Sequence, residues 1–175
     1  MNLAERCSNI RAVVLDIDGV LTDGRIGYGG SGGSEEIKFF HVRDGHGIVM
    51  ARRAGLKVGI LSGRSSSANA VRAAELKLDF VYQGGLNKKD GFARLLKEQN
   101  LKAEECLYIG DDVVDIPPFK QAGLAVCVND APSYLDNYVH YRTAARGGCG
   151  AVREAIELVL RESGLWVKLM ERYTS

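Results

Sequence analysis

Two aspartates one residue apart, Asp16 and Asp18, follow a short apolar run near the start of this chain of 175 residues. Side chains two positions apart on an extended segment point the same way, so the two carboxylates would share one small space. Like charges at that separation repel each other unless a cation or a proton intervenes. The pair therefore indicates a metal ligand, or a carboxylate that acts as a nucleophile or carries a proton.

Polar residues also follow three later apolar runs. They are Ser62, Gly63 and Arg64 after the second run, Lys88 near the third, and Asp111, Asp112 and Asp115 after the fourth. Each group taken alone is ordinary turn chemistry. If all of them converge, however, the carboxylates outnumber the basic residues Lys88 and Arg64, and their repulsion favours a bound cation.

The chemistry of these residues indicates which cation it is. Carboxylate ligands without converging histidine or cysteine favour a hard ion, and a site that leaves room for water and phosphate suits magnesium. Calcium in an EF-hand is the alternative, because the stretch from Asp16 to Val20 begins like such a loop. The spacing argues against it: Leu21 stands at the glycine position, and no glutamate stands at the twelfth. We therefore expect Mg²⁺.

The elements that must position these residues alternate along the chain. Short apolar runs predict buried strands over residues 12–15, 58–61, 80–82, 106–109 and 124–128. Helical patterns lie over residues 47–54, 67–76, 89–98, 114–122 and, as one or two closing helices, 151–173. This alternation predicts an α/β fold with a Rossmann-like, mainly parallel sheet flanked by helices, in one domain over residues 1–175. Ligands of such sheets bind beyond the carboxyl ends of the strands, where Asp16 and Asp18 fall.

The segment 24–42 departs from this alternation. Apolar residues on either side of a glycine cluster predict a β-hairpin that projects from the sheet. Gly27, Gly29 and Gly32 match a dinucleotide-binding fingerprint, but that motif needs a helix to follow, and a strand-like run follows here. We therefore favour the hairpin over a nucleotide site.

Composition excludes several classes of partner. Twenty-three basic and twenty-two acidic residues give a formal charge of +1, without the basic patch that nucleic acid or an anionic membrane would require. The chain lacks an apolar run long enough for a membrane span, and its N-terminus does not resemble a signal peptide. Four scattered cysteines fit reduced thiols. We expect a cytoplasmic protein with a small-molecule ligand.

The motifs around these residues resemble those of the haloacid dehalogenase superfamily phosphatases, in the same order. The matching stretches are D-I-D-G-V-L-T-D from Asp16, L-S-G-R with Ser62, Lys88, and G-D-D-V-V-D from Gly110. The resemblance implies that Asp16 becomes an aspartyl phosphate and that Asp18 protonates the leaving group and then activates water. It further implies that Ser62 and Lys88 hold the phosphoryl group. By the same resemblance, Mg²⁺ is held by Asp16, the Asp18 carbonyl and Asp111, supported by Asp112 and Asp115.

The spacing between the motifs leaves no room for the cap domain that many members of the superfamily carry. An open site of this kind needs another subunit to cover it, and the apolar hairpin residues Ile37, Phe39 and Phe40 need covering as well. We expect a homo-oligomer formed through the hairpin, and the resemblance implies a tetramer.

Further stretches resemble the capless members that act on 3-deoxy-D-manno-octulosonate 8-phosphate, an eight-carbon sugar acid phosphate of lipopolysaccharide synthesis. They are F-H-V-R-D-G-H-G-I from Phe40, L-S-G-R from Leu61, and A-R-G-G-C-G-A-V-R-E from Ala145. The resemblance implies substrate contacts by Gly19, Arg43, Asp44, Gly45, Gly63 and Arg64. An arginine suits a carboxylate, and Arg64 is the candidate. Relatives that act on a nine-carbon acid 9-phosphate tend to carry glutamate there, which favours the eight-carbon substrate.

Two interpretations that assign the chain to other functional classes remain as alternatives. Receiver domains of signalling proteins also place an acidic cluster, a hydroxyl residue and a lysine on a parallel sheet, but their lysine comes last, whereas Lys88 precedes Asp111 here. A catalytically silent relative is the other alternative, and it would not need every motif. The C-terminal tail covers residues 145–175. Its glycine-rich stretch 146–150 could be a flexible linker into the last helix, and the resemblance implies a mobile lid over the site.

Overall fold

The structure is a computed structural model that describes residues 1–85 and 87–174. Its strands are β1 Ala12–Leu15, β2 Gly27–Gly29, β3 Glu35–Ile37, β4 Lys57–Ser62, β5 Phe80–Gln83, β6 Cys106–Gly110, β7 Leu124–Cys127 and β8 Tyr141–Arg142. Its helices are α1 Leu3–Asn9, α2 Val42–Arg53, α3 Ser67–Glu75, α4 Lys88–Gln99, α5 Ile116–Phe119, α6 Ala151–Glu162 and α7 Leu165–Thr174.

Six strands form one sheet in the order β5-β4-β1-β6-β7-β8, and every neighbouring pair is parallel. β1 lies between β4 and β6, and all residues of β1 and β6 are buried. Continuous apolar runs of this kind suit strands that are covered on both faces. The predicted Rossmann-like α/β fold is confirmed, and the carboxyl ends of β1, β4 and β6 lie side by side.

The helices that cover the sheet fall into two groups by their contacts, α1, α2, α6 and α7 in one and α4 with α5 in the other. α6 shows why such a helix docks: its buried residues recur along one face, while its charged residues lie on the other. The buried residues of α6 are Ala151, Val152, Ala155, Ile156, Val159 and Leu160. The stretch predicted as one or two closing helices thus forms two helices, α6 and α7.

The predicted hairpin is present as a separate antiparallel pair, in which β2 pairs with β3. Its strands are shorter than the sequence suggested, because Ile26 and Phe39 lie outside the ladder. In the described residues, the chain between β1 and β4 holds this hairpin and α2, and the chain between β4 and β6 holds α3, β5 and α4. Neither segment holds a cap domain, so the site lies open.

Two predicted helices have different bounds in the structure. α2 begins at Val42, five residues before the predicted start, so that Gly45 and Gly47 both lie inside the helix. A side chain at Gly45 would collide with Arg72, and one at Gly47 would crowd Arg153. The predicted helix 114–122 is a 3₁₀ turn followed by the short α5, which carries a proline in its first turn. Glycine in α2 thus reflects close packing, and proline near α5 reflects a helix start.

Two short elements went unpredicted. α1 is closed by a capping box between Asn2 and Glu5, and β8 adds two residues to the edge of the sheet beside β7. Among the described residues, no helix is both long and apolar enough to cross a membrane.

Candidate active site

The carboxyl ends of β1, β4 and β6, together with the start of α4, surround a cavity of about 210 Å³. Its lining contains most of the residues that the sequence singled out. They are Asp16, Asp18, Ser62, Gly63, Arg64, Lys88, Asp111 and Asp112, joined by Val114. The parallel sheet therefore brings four separate sequence motifs to one place.

Lys88 is the buried cation at the base of this cavity. Its Nζ lies 2.8 Å from Asp16 Oδ2 and 2.5 Å from Asp115 Oδ1. The side chain of Asn87 caps α4 by accepting hydrogen bonds from the backbone N–H groups of Lys89 and Asp90, which fixes where the helix and Lys88 begin. Burial disfavours the ammonium, yet the two carboxylates raise the pKa of Lys88 above its ordinary value. Lys88 is therefore charged and held towards Asp16.

Asp115 is fully buried and joins several of these groups. Its Oδ1 accepts hydrogen bonds from Lys88 and, at 2.6 Å, from the Tyr108 hydroxyl, while its Oδ2 accepts from the backbone N–H groups of Asp111 and Asp112. Both oxygens are thus occupied by donors. Asp115 supports the loop after β6 and positions Lys88, and its oxygens are not free to bind a metal. The sequence did not predict the hydrogen bond from Tyr108 to Asp115, because an aromatic residue in a buried strand is usually part of the core.

Asp111 faces the cavity because Gly19 leaves room for it. Gly19 has a positive φ of 91°, and a Cβ at this position would collide with the Asp111 carboxylate. The turn that carries Gly19 is held by Thr22, whose hydroxyl donates to the Ile17 carbonyl and accepts from the Gly19 backbone N–H. Gly19 thus contributes by leaving room for the Asp111 carboxylate and by adopting the positive φ of this turn.

One carboxylate oxygen from each of Asp16, Asp111 and Asp115 lies within 4.8 Å of the others. Because the oxygens of Asp115 are occupied by donors, Asp16 and Asp111 are the two side chains of this cluster that could ligate an ion. Burial, partly offset by Lys88, raises the pKa of Asp16 to about 6, and burial together with the charge of Asp16 raises the pKa of Asp111 to about 8. These carboxylates lack sufficient positive charge from the protein. Among the described residues, the Asp18 carbonyl oxygen accepts no hydrogen bond. An all-oxygen set of this kind fits magnesium.

Ion pairs connect the hairpin to Asp18 and Arg64, two of the residues that line the cavity. Lys38, which follows β3, donates a hydrogen bond of 2.6 Å to Asp18 Oδ1. Arg64 pairs with Glu36 of the hairpin, and its Nε lies 3.8 Å from Asp18 Oδ2. The sequence does not single out Lys38 or Glu36 as site residues, because alternation along a hairpin does not tell which face meets the sheet.

Arg43, Asp44 and Gly45 are not among the residues that line this cavity. Asp44 is buried and accepts hydrogen bonds from the backbone N–H groups of Gly150 and Arg153, which caps the start of α6. Arg43 is exposed, and Gly45 makes room for Arg72. Sugar contacts by these three residues stay a prediction.

The glycine-rich stretch before α6 packs close to the site. Gly148 N–H donates to the Val20 carbonyl at 2.9 Å, and Gly147 N–H donates to Asp130. A side chain at Gly147 would collide with the Gly19 carbonyl. In this structure the stretch is docked against the turn after β1, and its mobility as a lid stays a prediction.

Cavity size alone does not identify the site. A larger groove, of about 460 Å³, runs along the edge strand β5. Its polar residues pair with one another: the Tyr82 hydroxyl and Arg94 both donate to Glu98. The smaller cavity is the one that combines buried carboxylates with a buried lysine.

The raised pKa values predict how magnesium and pH act on stability. An acid with a raised pKa in the folded state makes folding weaker as pH rises from its unfolded pKa to its folded pKa. The pH range over which folding stability falls is roughly pH 4 to 6 for Asp16 and pH 4 to 8 for Asp111. Magnesium at about 100 times its dissociation constant should add roughly 2.7 kcal/mol, or about 5–10 °C in melting temperature, at pH 8.5. At pH 5.5 the gain should nearly vanish, because protons compete for the carboxylates.

Thermal melts with and without Mg²⁺ at the two pH values test this. Asp111→Asn should flatten the pH dependence and abolish the magnesium effect, whereas Asp90→Asn, an exposed position on α4, should behave as wild type. Equal magnesium shifts at both pH values would contradict the assignment.

Comparison with known proteins agrees with this geometry. A family model described as haloacid dehalogenase-like hydrolase matches residues 46–123. The 3-deoxy-D-manno-octulosonate 8-phosphate phosphatase KdsC of Haemophilus influenzae is 41% identical over 162 residues, which cover 93% of this chain and 89% of that protein.

Solved structures agree as well. A probable YrbI family phosphatase from Pseudomonas syringae has a TM-score of 0.93 at 36% identity, covering 99% of this chain and 97% of that one. The Moraxella catarrhalis 3-deoxy-D-manno-octulosonate 8-phosphate phosphatase, solved with a magnesium ion, a phosphate ion and a KDO molecule, has a TM-score of 0.92 at 31% identity, covering 98% of this chain and 97% of that one. This chain belongs to the 3-deoxy-D-manno-octulosonate 8-phosphate phosphatase family of haloacid dehalogenase-like hydrolases.

Proposed function

We propose that this chain is a magnesium-dependent phosphatase that hydrolyses 3-deoxy-D-manno-octulosonate 8-phosphate to the free sugar acid and phosphate, in the synthesis of lipopolysaccharide precursors. The observation that carries the proposal is the cluster of Asp16, Lys88 and Asp111 around one open cavity. Relatives of known name that match nearly the whole chain support the same substrate.

The reaction proceeds in two steps on Asp16. Its carboxylate attacks phosphorus and forms an aspartyl phosphate, while Asp18 gives a proton to the leaving alcohol. Asp18 then takes a proton from water, which attacks the phosphate and regenerates Asp16. Ser62 and Lys88 hold the phosphoryl oxygens, and the charge of Lys88 balances the negative charge that develops there.

Magnesium would be held by Asp16, Asp111 and the carbonyl oxygen of Asp18. When bound, it supplies positive charge to the phosphoryl oxygens. Asp115 keeps the Asp111 backbone in place from behind, through the two N–H groups that it accepts. Asp112 caps the following 3₁₀ turn by accepting from the Val113 N–H.

Arg64 recognises the substrate carboxylate in this proposal. Its guanidinium already holds a carboxylate, that of Glu36, at the opening of the cavity. The sugar acid would compete with Glu36 for the same donors, since an arginine fork matches either carboxylate. Gly63 next to it leaves the approach free of a side chain.

The nine-carbon 9-phosphate and the receiver-like signalling domain are the alternatives, and the comparisons do not favour either. A receiver-like domain would keep its phosphate, whereas the carboxyl group of Asp18 supplies a proton carrier for turnover.

A substrate panel tests the proposal. Phosphate release is measured with and without Mg²⁺ from the eight-carbon sugar acid 8-phosphate, the nine-carbon acid 9-phosphate, hexose phosphates and p-nitrophenyl phosphate. We expect a magnesium-dependent preference for the eight-carbon compound. Arg64→Gln should lower kcat/KM for this compound by about 10- to 100-fold, the value of a charge-assisted pair. The loss for p-nitrophenyl phosphate, which has no carboxylate, should be much smaller.

The matched control is Arg94→Gln, an exposed arginine in the groove along β5. Preference for the nine-carbon acid would overturn the proposed substrate but leave the proposed phosphatase reaction unchanged. Uptake of phosphate from acetyl phosphate without turnover would indicate signalling instead.

We also propose that the chain works as a homo-oligomer in the cytoplasm. The hairpin region exposes Tyr28, Ile37, Val42 and Phe39, the last at 75% of its surface, and such apolar area favours a partner. All four cysteines are free, which fits a reducing compartment. The tetramer that the family resemblance implies, and the single domain over residues 1–175, stay predictions.

A further inference from the structure

Lys38 is a buried lysine that the phosphatase motifs do not include. It directly follows β3 of the hairpin, and its side chain is 0% exposed, although its neighbours Ile37 and Phe39 are exposed. Alternation of faces explains this, because Lys38 points inwards where its neighbours point out. A buried ammonium is costly unless it is paired. The fold therefore buries this charge next to the cavity, where it requires a partner of opposite charge.

The partner is Asp18. Lys38 Nζ donates to Asp18 Oδ1 at 2.6 Å, and it lies 3.8 Å from Glu36 Oε2, which is too far for a hydrogen bond. Arg64 faces the other side of Asp18, with its Nε 3.8 Å from Oδ2. The four charged groups thus form one cluster, in which only Lys38 makes a hydrogen bond to Asp18.

This arrangement distinguishes the two oxygens of Asp18. Oδ1 is engaged by Lys38, whereas Oδ2 accepts no hydrogen bond in the described part of the chain. A short carboxylate side chain held at one oxygen keeps one rotamer, and its other oxygen then points in a fixed direction. Asp18 lines the same cavity as Asp16, and Oδ2 is the oxygen that Lys38 leaves free there.

We propose that Lys38 is a positioning residue for the phosphatase reaction: it holds Asp18 through Oδ1, so that Oδ2 exchanges the proton. The inference rests on the proposed role of Asp18. In the first step the bond between phosphorus and the leaving oxygen breaks as Asp16 bonds to phosphorus, and the proton on Oδ2 passes to that oxygen. In the second step Oδ2 takes a proton from water as the water oxygen bonds to phosphorus and the bond to Asp16 breaks.

Dependence on the leaving group separates this role from simple anchoring of the hairpin. A sugar alkoxide needs a proton to leave, whereas p-nitrophenolate leaves as an anion. The quantity kcat/KM covers the steps through transfer of phosphate to Asp16, so it isolates proton donation. Lys38→Met removes the charge at similar length, and Lys38→Arg restores a charge.

We expect Lys38→Met to lower kcat/KM for the sugar acid phosphate by roughly 10- to 100-fold, a fraction of what a general acid contributes. The loss for p-nitrophenyl phosphate should be smaller by a factor of about ten. Lys38→Arg should recover part of the difference. Lys97→Met, an exposed lysine on α4, is the matched control.

Asp18→Asn measured beside these variants separates the two possible failures. If Asp18→Asn slows both substrates equally, the proposed role of Asp18 is wrong, and the inference falls with it. If Asp18→Asn discriminates between the substrates but Lys38→Met slows both equally, Lys38 only anchors the hairpin, and the inference alone is overturned. Should Lys38→Met fail to fold, Lys38→Arg decides, because a displaced charge should still slow the sugar acid phosphate more than the aryl phosphate.

Discussion

Asp16→Asn is expected to lower turnover of the sugar acid phosphate by roughly 10⁴-fold or more, equivalent to about 5.5 kcal/mol of activation free energy. The carboxamide has nearly the shape of the carboxylate, but it lacks the anionic oxygen that attacks phosphorus. The backbone N–H of Asp16 donates to the Ile109 carbonyl, which holds the residue at the end of β1 whatever the side chain is. The loss should therefore be chemical, with the fold kept.

Rapid acid quenching with a radiolabelled substrate provides the direct readout. Wild-type protein should carry label that hydroxylamine releases, as an acyl phosphate does, and Asp16→Asn should carry none. Asp90→Asn, on the exposed first turn of α4, should retain both label and turnover. Labelling of the Asp16→Asn protein would place the covalent step on another residue and overturn the mechanism.

Much of the site could be predicted because parallel sheets bring strand ends together. Asp16, Ser62, Lys88 and Asp111 are far apart in sequence, yet each follows an apolar run, and the carboxyl ends of β1, β4 and β6 are neighbours. Period and order along the chain therefore predicted both the fold and the cluster. The family resemblance supplied what physical reasoning alone could not, the separate roles of Asp16 and Asp18.

Other features depend on tertiary contacts that leave little trace in the sequence. Asp44 was predicted only as a sugar contact, and its capping of α6, more than a hundred positions further along the chain, was not predicted. Gly45 lay outside the helix predicted to start at Gly47, although both glycines lie within α2, where Arg72 and Arg153 leave no room for a side chain. Lys38 looked like one more hairpin residue until the direction of its strand face was known. In each case the partner comes from a distant element, and periodicity carries no information about it.

The hairpin contacts both the residue proposed to recognise the substrate and the residue proposed to carry the proton. Glu36 holds Arg64, the proposed carboxylate reader, and Lys38 holds Asp18, the proposed proton carrier. Both contacts come from one short ribbon that also exposes apolar surface. Covering that surface with a partner would therefore fix both residues at once, which gives a physical reason for an open phosphatase to assemble.

Lys88→Met should have a large effect on both stability and activity. Lys88 is 4% exposed and is the cation shared by Asp16 and Asp115, so its loss leaves buried carboxylates without compensation. Breaking a buried pair from one side costs about 3–5 kcal/mol, or roughly 10 °C in melting temperature for a chain of this length. Turnover should fall by about 10³-fold, as when a charge-stabilising donor is removed.

Thermal melts and phosphate release measure the two effects, with Lys89→Met as the matched control, because Lys89 is the exposed neighbour on the same turn of α4. The loss of stability should shrink when Mg²⁺ is added, since the ion replaces part of the missing positive charge. A Lys88→Met protein as stable as wild type without metal would show that the buried carboxylates do not need the lysine.

A second change separates the two tasks of Lys88. Adding Asp115→Asn to Lys88→Met removes one of the stranded charges, and the amide oxygen can still accept from the N–H groups of Asp111 and Asp112, as Asp115 Oδ2 does now. The double variant should regain most of the lost stability, because a neutral buried group with its hydrogen bonds satisfied costs little. It should not regain turnover, because no ammonium then faces the phosphate. Stability and turnover recovering together would mean that Lys88 acts only as a structural counter-ion.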